Sequence, residues 1–437
     1  MAIRGRHRWL WFQWILAFAL AAATMTQAQS VAQLRADLAP VLDLSDDELR
    51  ALIPERAGLR FTGCPNCTGG TQENQLWWSI EHPQEVYCQH CDLRYPNDTY
   101  PDDQVLCVTD ALGQTQQYPY WDDADGYHHF FQAKGWYVAR LYFEDAALKL
   151  ARLYAATQDS SYARRAALIL QRFAEVYPGY LIHYDYPFQQ KILWSADTDF
   201  PYPVADFRAA KWSWWAYMDI SEDLLLAYEL VRDTLDEATQ QQLEDELFHA
   251  MVGFIHNYPP ALTNMDPTLL RALITAGRVL REPAYMHDAV RRIELLVQQQ
   301  FFADGAWREG ALSYHNQTVR GLDLLVQLLD GYSDPPGYTP VAGAARFDDL
   351  DLTQRLPILA RARSVPDLLR YPNGRGVAFH DTWAREQAEP LSASQSMLLP
   401  ELGQARLGRG EGDAQMQAHL HFSGGYGHQH ADVLSLS

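Results

Sequence analysis

From His128 onward the apolar positions recur every three to four residues. Trp136, Val138, Leu141, Phe143, Ala147, Leu148, Leu150 and Leu153 share one broad face, which predicts a long helix. Residues 162–176 predict a second, closed by Pro178-Gly179. Further helices are expected at 207–231, 237–258, 267–280, 284–301, 317–329 and 350–369. Short connections with no strand pattern between them imply antiparallel hairpins packed side by side, so the chain reads as mainly α. After Arg370 the texture changes. Residues 374–380, 415–422 and 433–436 are short alternating or β-rich runs with glycine-rich turns, and they read as the beginning of an antiparallel β domain. A sandwich takes on the order of 100 residues, so the chain is expected to be a fragment of a longer protein.

Before the helices the pattern is less regular. Residues 30–59 hold a short amphipathic segment whose start, Ser45 with Glu48 three residues on, has the form of a capping box. Residues 98–126 are rich in proline, tyrosine and aspartate and read as an irregular linker with one hairpin. The first thirty residues have a basic start (Arg4, Arg6, Arg8), an apolar run from 10 to 23, and a small residue, Ala28, suited to cleavage. This is the form of an export signal, about fourteen apolar residues being short of the roughly 20 that cross a bilayer.

Between these parts lies a local signal of a different kind. Cys64-Pro-Asn-Cys67 and Cys88-Gln-His-Cys91 are separated by twenty residues, the spacing of two knuckles that supply four thiolates to one tetrahedral Zn(2+). Leu76 to Ile80 is expected to pair back on Val86 and Tyr87, giving a zinc-ribbon-like module. Two disulfides are the rival in an exported protein. Four thiolates leave no open position, so such a metal is structural. Cys107 is left over and is expected to be a buried thiol.

Composition narrows the partners. A chain of 437 residues, 48% hydrophobic and 12% aromatic, is globular and holds two or three domains. A formal charge of −20 argues against nucleic acid, which is bound by basic faces. An acidic ligand would need a local basic cleft. Arg208, Lys211, Arg271, Arg308 and Arg320 are candidates for it. No membrane span is expected beyond the leader.

The candidate chemistry centres on residues 304–315, DGAWREGALSYH, between two amphipathic runs. A compact loop there presents Tyr314 beside a helix pair. Its companions are Asn264 in LTNMDP and His428 and His430 in GHQHAD. Tyrosine, asparagine and histidine are the side chains that remove a carbon-bound proton next to a carboxylate. An ordinary phenol titrates near pH 10, so Tyr314 as a base calls for positive charge nearby, with Arg308 and His428 as sources. Each residue also has a structural role open to it: Asn264 as a helix cap, Tyr314 as a core aromatic, the histidines as surface polar groups.

The EGALSYH and GHQHAD segments, taken in order, resemble the heparinase II/III superfamily of polysaccharide lyases, which includes relatives acting on alginate; the likeness runs from about Phe207 to the end. The resemblance implies an (α/α) toroid over 127–370 and, over 371–437, the beginning of a β-sandwich; the residue patterns themselves give 1–28 as signal peptide and 29–126 as an N-terminal region carrying the ribbon at 64–91. It implies eliminative cleavage of an acidic, uronic-acid polysaccharide by an exported, periplasmic or extracellular lyase. By motif match Tyr314 would be the base, Asn264 a carboxylate partner and His428 a neutraliser or proton donor, while His430 would bind a second structural zinc with ligands beyond the chain end. One departure stands out. Several relatives carry histidine directly after the asparagine, where this chain has Met265, so His315 or His256 is expected to substitute. Trp212 and Trp215 are candidates to stack on sugar rings, and Arg308 to bind the substrate. Two other functions use the same features: a uronate epimerase, which returns the proton to the opposite face, and a non-catalytic glycan-binding or cell-surface scaffold.

Overall fold

A computed structural model describes residues 30–60, 62–70, 75–109, 115–180, 182–184, 192–194, 219–257, 262–341, 344–382, 388–422 and 434–436. The leader lies outside them. The fold is mainly α.

The chain begins with α1 (Val31–Leu42) and α2 (Asp46–Leu52). The capping box forms as the sequence implies: Glu48 N donates to Ser45 Oγ, and Ser45 N donates back to Glu48 Oε2 at 2.7 Å. The cysteine region folds into a three-stranded antiparallel sheet, β1 (Leu76–Trp78), β2 (Val86–Cys88) and β3 (Arg94–Tyr95), with Leu76 opposite Cys88. The region expected to be an irregular linker carries the hairpin β4 (Gln104–Thr109) and β5 (Thr115–Asp122), extended by β6 (His128–His129). Cys107 on β4 is exposed, contrary to its expected burial, because it sits on the outward side of a hairpin strand.

Two long helices follow, α3 (Phe131–Thr157) and α4 (Ser160–Val176). Gln158 turns the chain in a left-handed conformation, φ 59°, and the Asp159 carboxylate caps the next helix by accepting from Ser161 N. That tight link makes the pair antiparallel. After the short strands β7 (Ile182–Tyr184) and β8 (Ile192–Trp194) come α5 (Glu222–Val231), α6 (Glu237–Leu243), which runs through a π-helical turn into α7 (Ala250–Asn257), then α8 (Asp266–Val279), α9 (Pro283–Gln300) and α10 (Leu312–Leu329). The last expected helix is broken into α11 (Leu352–Arg355) and α12 (Ile358–Leu368), with Pro357 at the break.

α3 packs on α4 and α5, α5 on α8, α8 on α9 and α10, and α10 on α12, so successive hairpins follow one another round a shared interior. One apolar core runs from Leu34 through the ribbon residues Leu76, Trp78 and Tyr95 to Leu359. The ribbon is joined to it by aromatic contact: Tyr95 stacks on Phe131 at 4.6 Å, and Trp78 meets Phe143 edge-on at 6.1 Å.

The chain closes with a four-stranded antiparallel sheet, β9 (Met397–Leu399), β10 (Gln404–Arg409), β11 (Met416–His421) and β12 (Ser435–Leu436), in the order β12-β11-β10-β9. Residues 374–380, read as a strand, form no continuous strand among the described residues; Gly376 bridges Arg370. The face turned to the helices is polar: Gln404, Arg406, His419 and His421 are buried there, and Arg406 donates to the Leu368 carbonyl at 2.9 Å, a cation at the end of α12. A second apolar cluster, with Leu312, Val365, Leu369, Phe379, Leu399 and Leu402, seals this junction. The opposite face is apolar, and Leu398, Leu407, Met416 and Leu436 are 59%, 70%, 58% and 72% exposed.

Candidate functional site

The loop expected at 304–310 is present and is tied at both ends. Phe302 N donates to the Ala306 carbonyl and Arg308 N to the Gln300 carbonyl, while Asp304 accepts from Leu402 N at 3.0 Å and so anchors the loop to the C-terminal sheet. Gly305 has φ +91°, and a Cβ there would lie 2.8 Å from the Arg361 backbone, so only glycine fits. The helix starts at Leu312, five residues earlier than the apolar pattern implied, because its first turn is capped from a distant segment. Leu312 N donates to Thr382 Oγ1 at 3.0 Å and Ser313 Oγ to the Asp381 carbonyl at 2.8 Å. Tyr314 therefore stands in the first turn of α10 rather than on the loop.

Tyr314 is half-buried, and its face of α10 meets the start of α8. Gln317, one turn on, donates to the Met265 sulfur at 3.4 Å, and a Cβ at Gly321 would fall 2.6 Å from Pro267. Residues 314, 317 and 321 share one side of a helix. The segment from Asn264 to Pro267 thus lies along the side of α10 that carries the phenol. Asn264 is not spent as a cap: Met265 holds the capping position of α8 with no side chain bonded to the first amides, and Pro267 needs no acceptor. Its side chain is half-exposed.

The charge beside the phenol differs from expectation. The Tyr314 hydroxyl donates to Asp381 Oδ2 at 3.2 Å, and burial together with the Asp381 and Glu309 carboxylates pushes the phenol up to about 12. Arg308 does not supply the expected cation: it is exposed and its guanidinium reaches toward the Gln299 carbonyl at the end of α9, the position that attracts a positive side chain.

His315 is also corrected. It was expected to contact a substrate carboxylate, but it is 2% exposed and both ring nitrogens are used. Nδ1 accepts from Trp307 N at 3.1 Å and Nε2 donates to the Ala362 carbonyl at 2.9 Å. It locks the loop to α12. Burial pushes its pKa down to about 4. The fold keeps the neutral ring, so this stability is complete above the unfolded value near 6.5 and is lost as pH falls toward 4, a loss of about 3 kcal/mol. Urea unfolding at pH 7 and pH 4.5 is expected to show this acid loss in the natural protein and a smaller one in His315→Gln; equal losses in the two would refute it.

The ribbon sulfurs have the geometry of a metal site. Cys64, Cys67, Cys88 and Cys91 place their Sγ atoms within 4.8 Å of one another, with separations of 3.8 Å (Cys64–Cys91), 3.8 Å (Cys64–Cys67) and 3.7 Å (Cys67–Cys88). A tetrahedron with bonds of about 2.3 Å has edges of about 3.8 Å, whereas a disulfide needs about 2.05 Å. The four can hold one ion. Hydrogen bonds surround them: the Tyr95 hydroxyl lies 2.8 Å from Cys64 Sγ, and His90 N donates to Cys88 Sγ at 3.4 Å. A Cβ at Gly70 would sit 2.6 Å from Cys88 Sγ, so the knuckle closes only around glycine.

Trp212, Trp215, Arg208, Lys211, His428, His430 and Asp432 lie outside the described residues, as does the His256 side chain. The residue that sequence reasoning missed is Asp381.

No family model matches the chain, and no curated protein does. Among solved structures, a heparinase III matches with 16% identity and a TM-score of 0.42, over 68% of this chain and 48% of that one. The heparan sulfate lyase HepC from Pedobacter heparinus matches with 13% identity and a TM-score of 0.42, over 69% of this chain and 47% of that one. The likeness is to heparinase III. The chain spans about half the length of these solved structures. Among the described residues no helix is long and apolar enough to cross a membrane.

Proposed function

We propose that the protein is an exported polysaccharide lyase that cleaves a uronic-acid-containing glycan by β-elimination, with Tyr314 as the base. One observation carries the reading: the phenol projects from the side of α10 along which the segment bearing Asn264 is packed, so two of the three residues singled out for the chemistry lie on neighbouring elements. Eliminative cleavage removes the proton at C5 once the adjacent carboxylate is neutralised, and it protonates the leaving oxygen. Tyr314 takes the carbon-bound proton. Asn264 and His428 hold the carboxylate as charge builds on it as an enediolate. Arg308, Trp212 and Trp215 bind the polymer, and export follows from the basic, apolar leader. The four ribbon cysteines hold a structural zinc, the geometry being that of four thiolates round one ion. His430 belongs to a second structural zinc site.

Incubation with heparan sulfate, hyaluronan and alginate tests the reading. Ultraviolet absorbance from an unsaturated end on at least one polymer is the expected result. Solvent deuterium entering C5 without chain shortening would replace the lyase with an epimerase, and binding without either product would leave a glycan-binding protein.

A further inference from the structure

We propose that Asp381 receives the phenolic proton of Tyr314 while the phenol oxygen takes the hydrogen from carbon, so that the two residues act as one base. The inference rests on the reading of Tyr314 as the base, and Asp381 acts through it as a positioning residue. The Tyr314 hydroxyl already donates to Asp381 Oδ2 at 3.2 Å.

The carboxylate is held there by more than that bond. Its own carbonyl accepts from Ser313 Oγ at 2.8 Å, and Thr382 Oγ1 accepts from Leu312 N at 3.0 Å, so the two residues directly before Tyr314 fix the segment. His380 before it is buried at φ +54°, a left-handed conformation that a side-chain-bearing residue rarely adopts, and its ring packs edge-on against His421 at 4.2 Å. Thr382 N closes back on the His380 carbonyl at 2.8 Å. A rigid turn therefore delivers a carboxylate to the N-terminal end of an 18-residue helix, where negative charge is favoured.

The charged groups that bear on the phenol among the described residues are Asp381, from this turn, and Glu309, from the loop before the helix; both are acidic. With the phenol near 12, about one molecule in 10⁵ would carry a phenolate at pH 7. A relay needs no standing phenolate. As the C5–H bond breaks, its proton goes to Tyr314 Oη, the Oη–H proton goes to Asp381 Oδ2, and the electron pair enters the enediolate. When the C4–O4 bond breaks, the leaving oxygen takes the proton from Tyr314 Oη and Asp381 returns its proton to Oη. Both residues end as they began, and no further reactant is required.

Asp381→Asn tests the relay, because the amide keeps the shape but cannot take the proton. On whichever of heparan sulfate, hyaluronan and alginate the natural protein cleaves, kcat is expected to fall by about 100-fold or more with KM changed less than about threefold. If Asp381 merely repelled a phenolate, the same change would ease ionisation of the phenol and raise the rate at pH 7. An unchanged or raised rate overturns the proposal. Should the variant fail to fold, the pH profile of the natural protein decides: a relay leaves kcat nearly flat from pH 7 to 9, whereas pre-ionised phenolate gives a rise of about tenfold per pH unit, which overturns it. An inactive Tyr314→Phe variant beside an undiminished Asp381→Asn variant removes the relay and keeps Tyr314 as the base. A fully active Tyr314→Phe variant, or no product from the natural protein on any of the three polymers, removes both.

Discussion

Tyr314→Phe is expected to lower the rate of unsaturated-end formation by on the order of 10³-fold, within the range for loss of a general base. The change deletes one oxygen and leaves the ring, which is half-buried, in its place. It also removes the hydrogen bond to Asp381. A bond of this kind contributes about 1 kcal/mol, so thermal unfolding should shift by no more than a few degrees. The two measurements together separate chemistry from folding. Loss of product with an unchanged melting curve supports the role of the phenol, and a rate within tenfold of the natural one would mean that another group takes the proton.

Stripping the ribbon metal is expected to have the largest effect on stability. Chelation, or Cys88→Ser, leaves three or four sulfurs crowded within 4.8 Å with no ion to bridge them, and the two knuckles lose the cross-link that closes them. Tyr95 then loses its partner at Cys64 while still stacked on Phe131, in the first turn of the longest described helix. A loss of several kcal/mol, roughly 5–10 °C in Tm, is expected, with proteolytic cleavage appearing first between residues 62 and 95. Metal analysis should find one ribbon zinc per chain, released as Tm falls. Release without a change in Tm would show that the aromatic packing alone sustains the module.

What the sequence disclosed and what it withheld divide along physical lines. The cysteine spacing was legible because both knuckles are local and four sulfurs that can hold one ion must converge at a set separation. The helical hairpins at 131–176 and 266–300 were legible because a buried helix face repeats every 3.6 residues whatever lies opposite it. The start of α10 was not, since its cap comes from Thr382, 70 residues away. Asp381 stayed hidden for the same reason: it lies 67 residues from Tyr314 in an otherwise ordinary stretch, FHDTW, and only the fold brings it to the phenol. The error at His315 had a signal that could have prevented it. Neighbouring residues on a helix point about 100° apart, so Tyr314 and His315 could not both face the same groove once that turn was helical. Burial of one made exposure of the other natural.

The two central strands of the C-terminal sheet turn polar side chains inward, while Leu398, Leu407 and Leu436 point outward, the reverse of a sheet that ends at water. In dilute buffer the net charge of −20 holds separate molecules apart. Added electrolyte shortens the reach of that repulsion and strengthens the attraction between oily surfaces. Rising ionic strength is therefore expected to move the protein from dispersal toward clumping through this one wall of four strands, a shift that light scattering would follow.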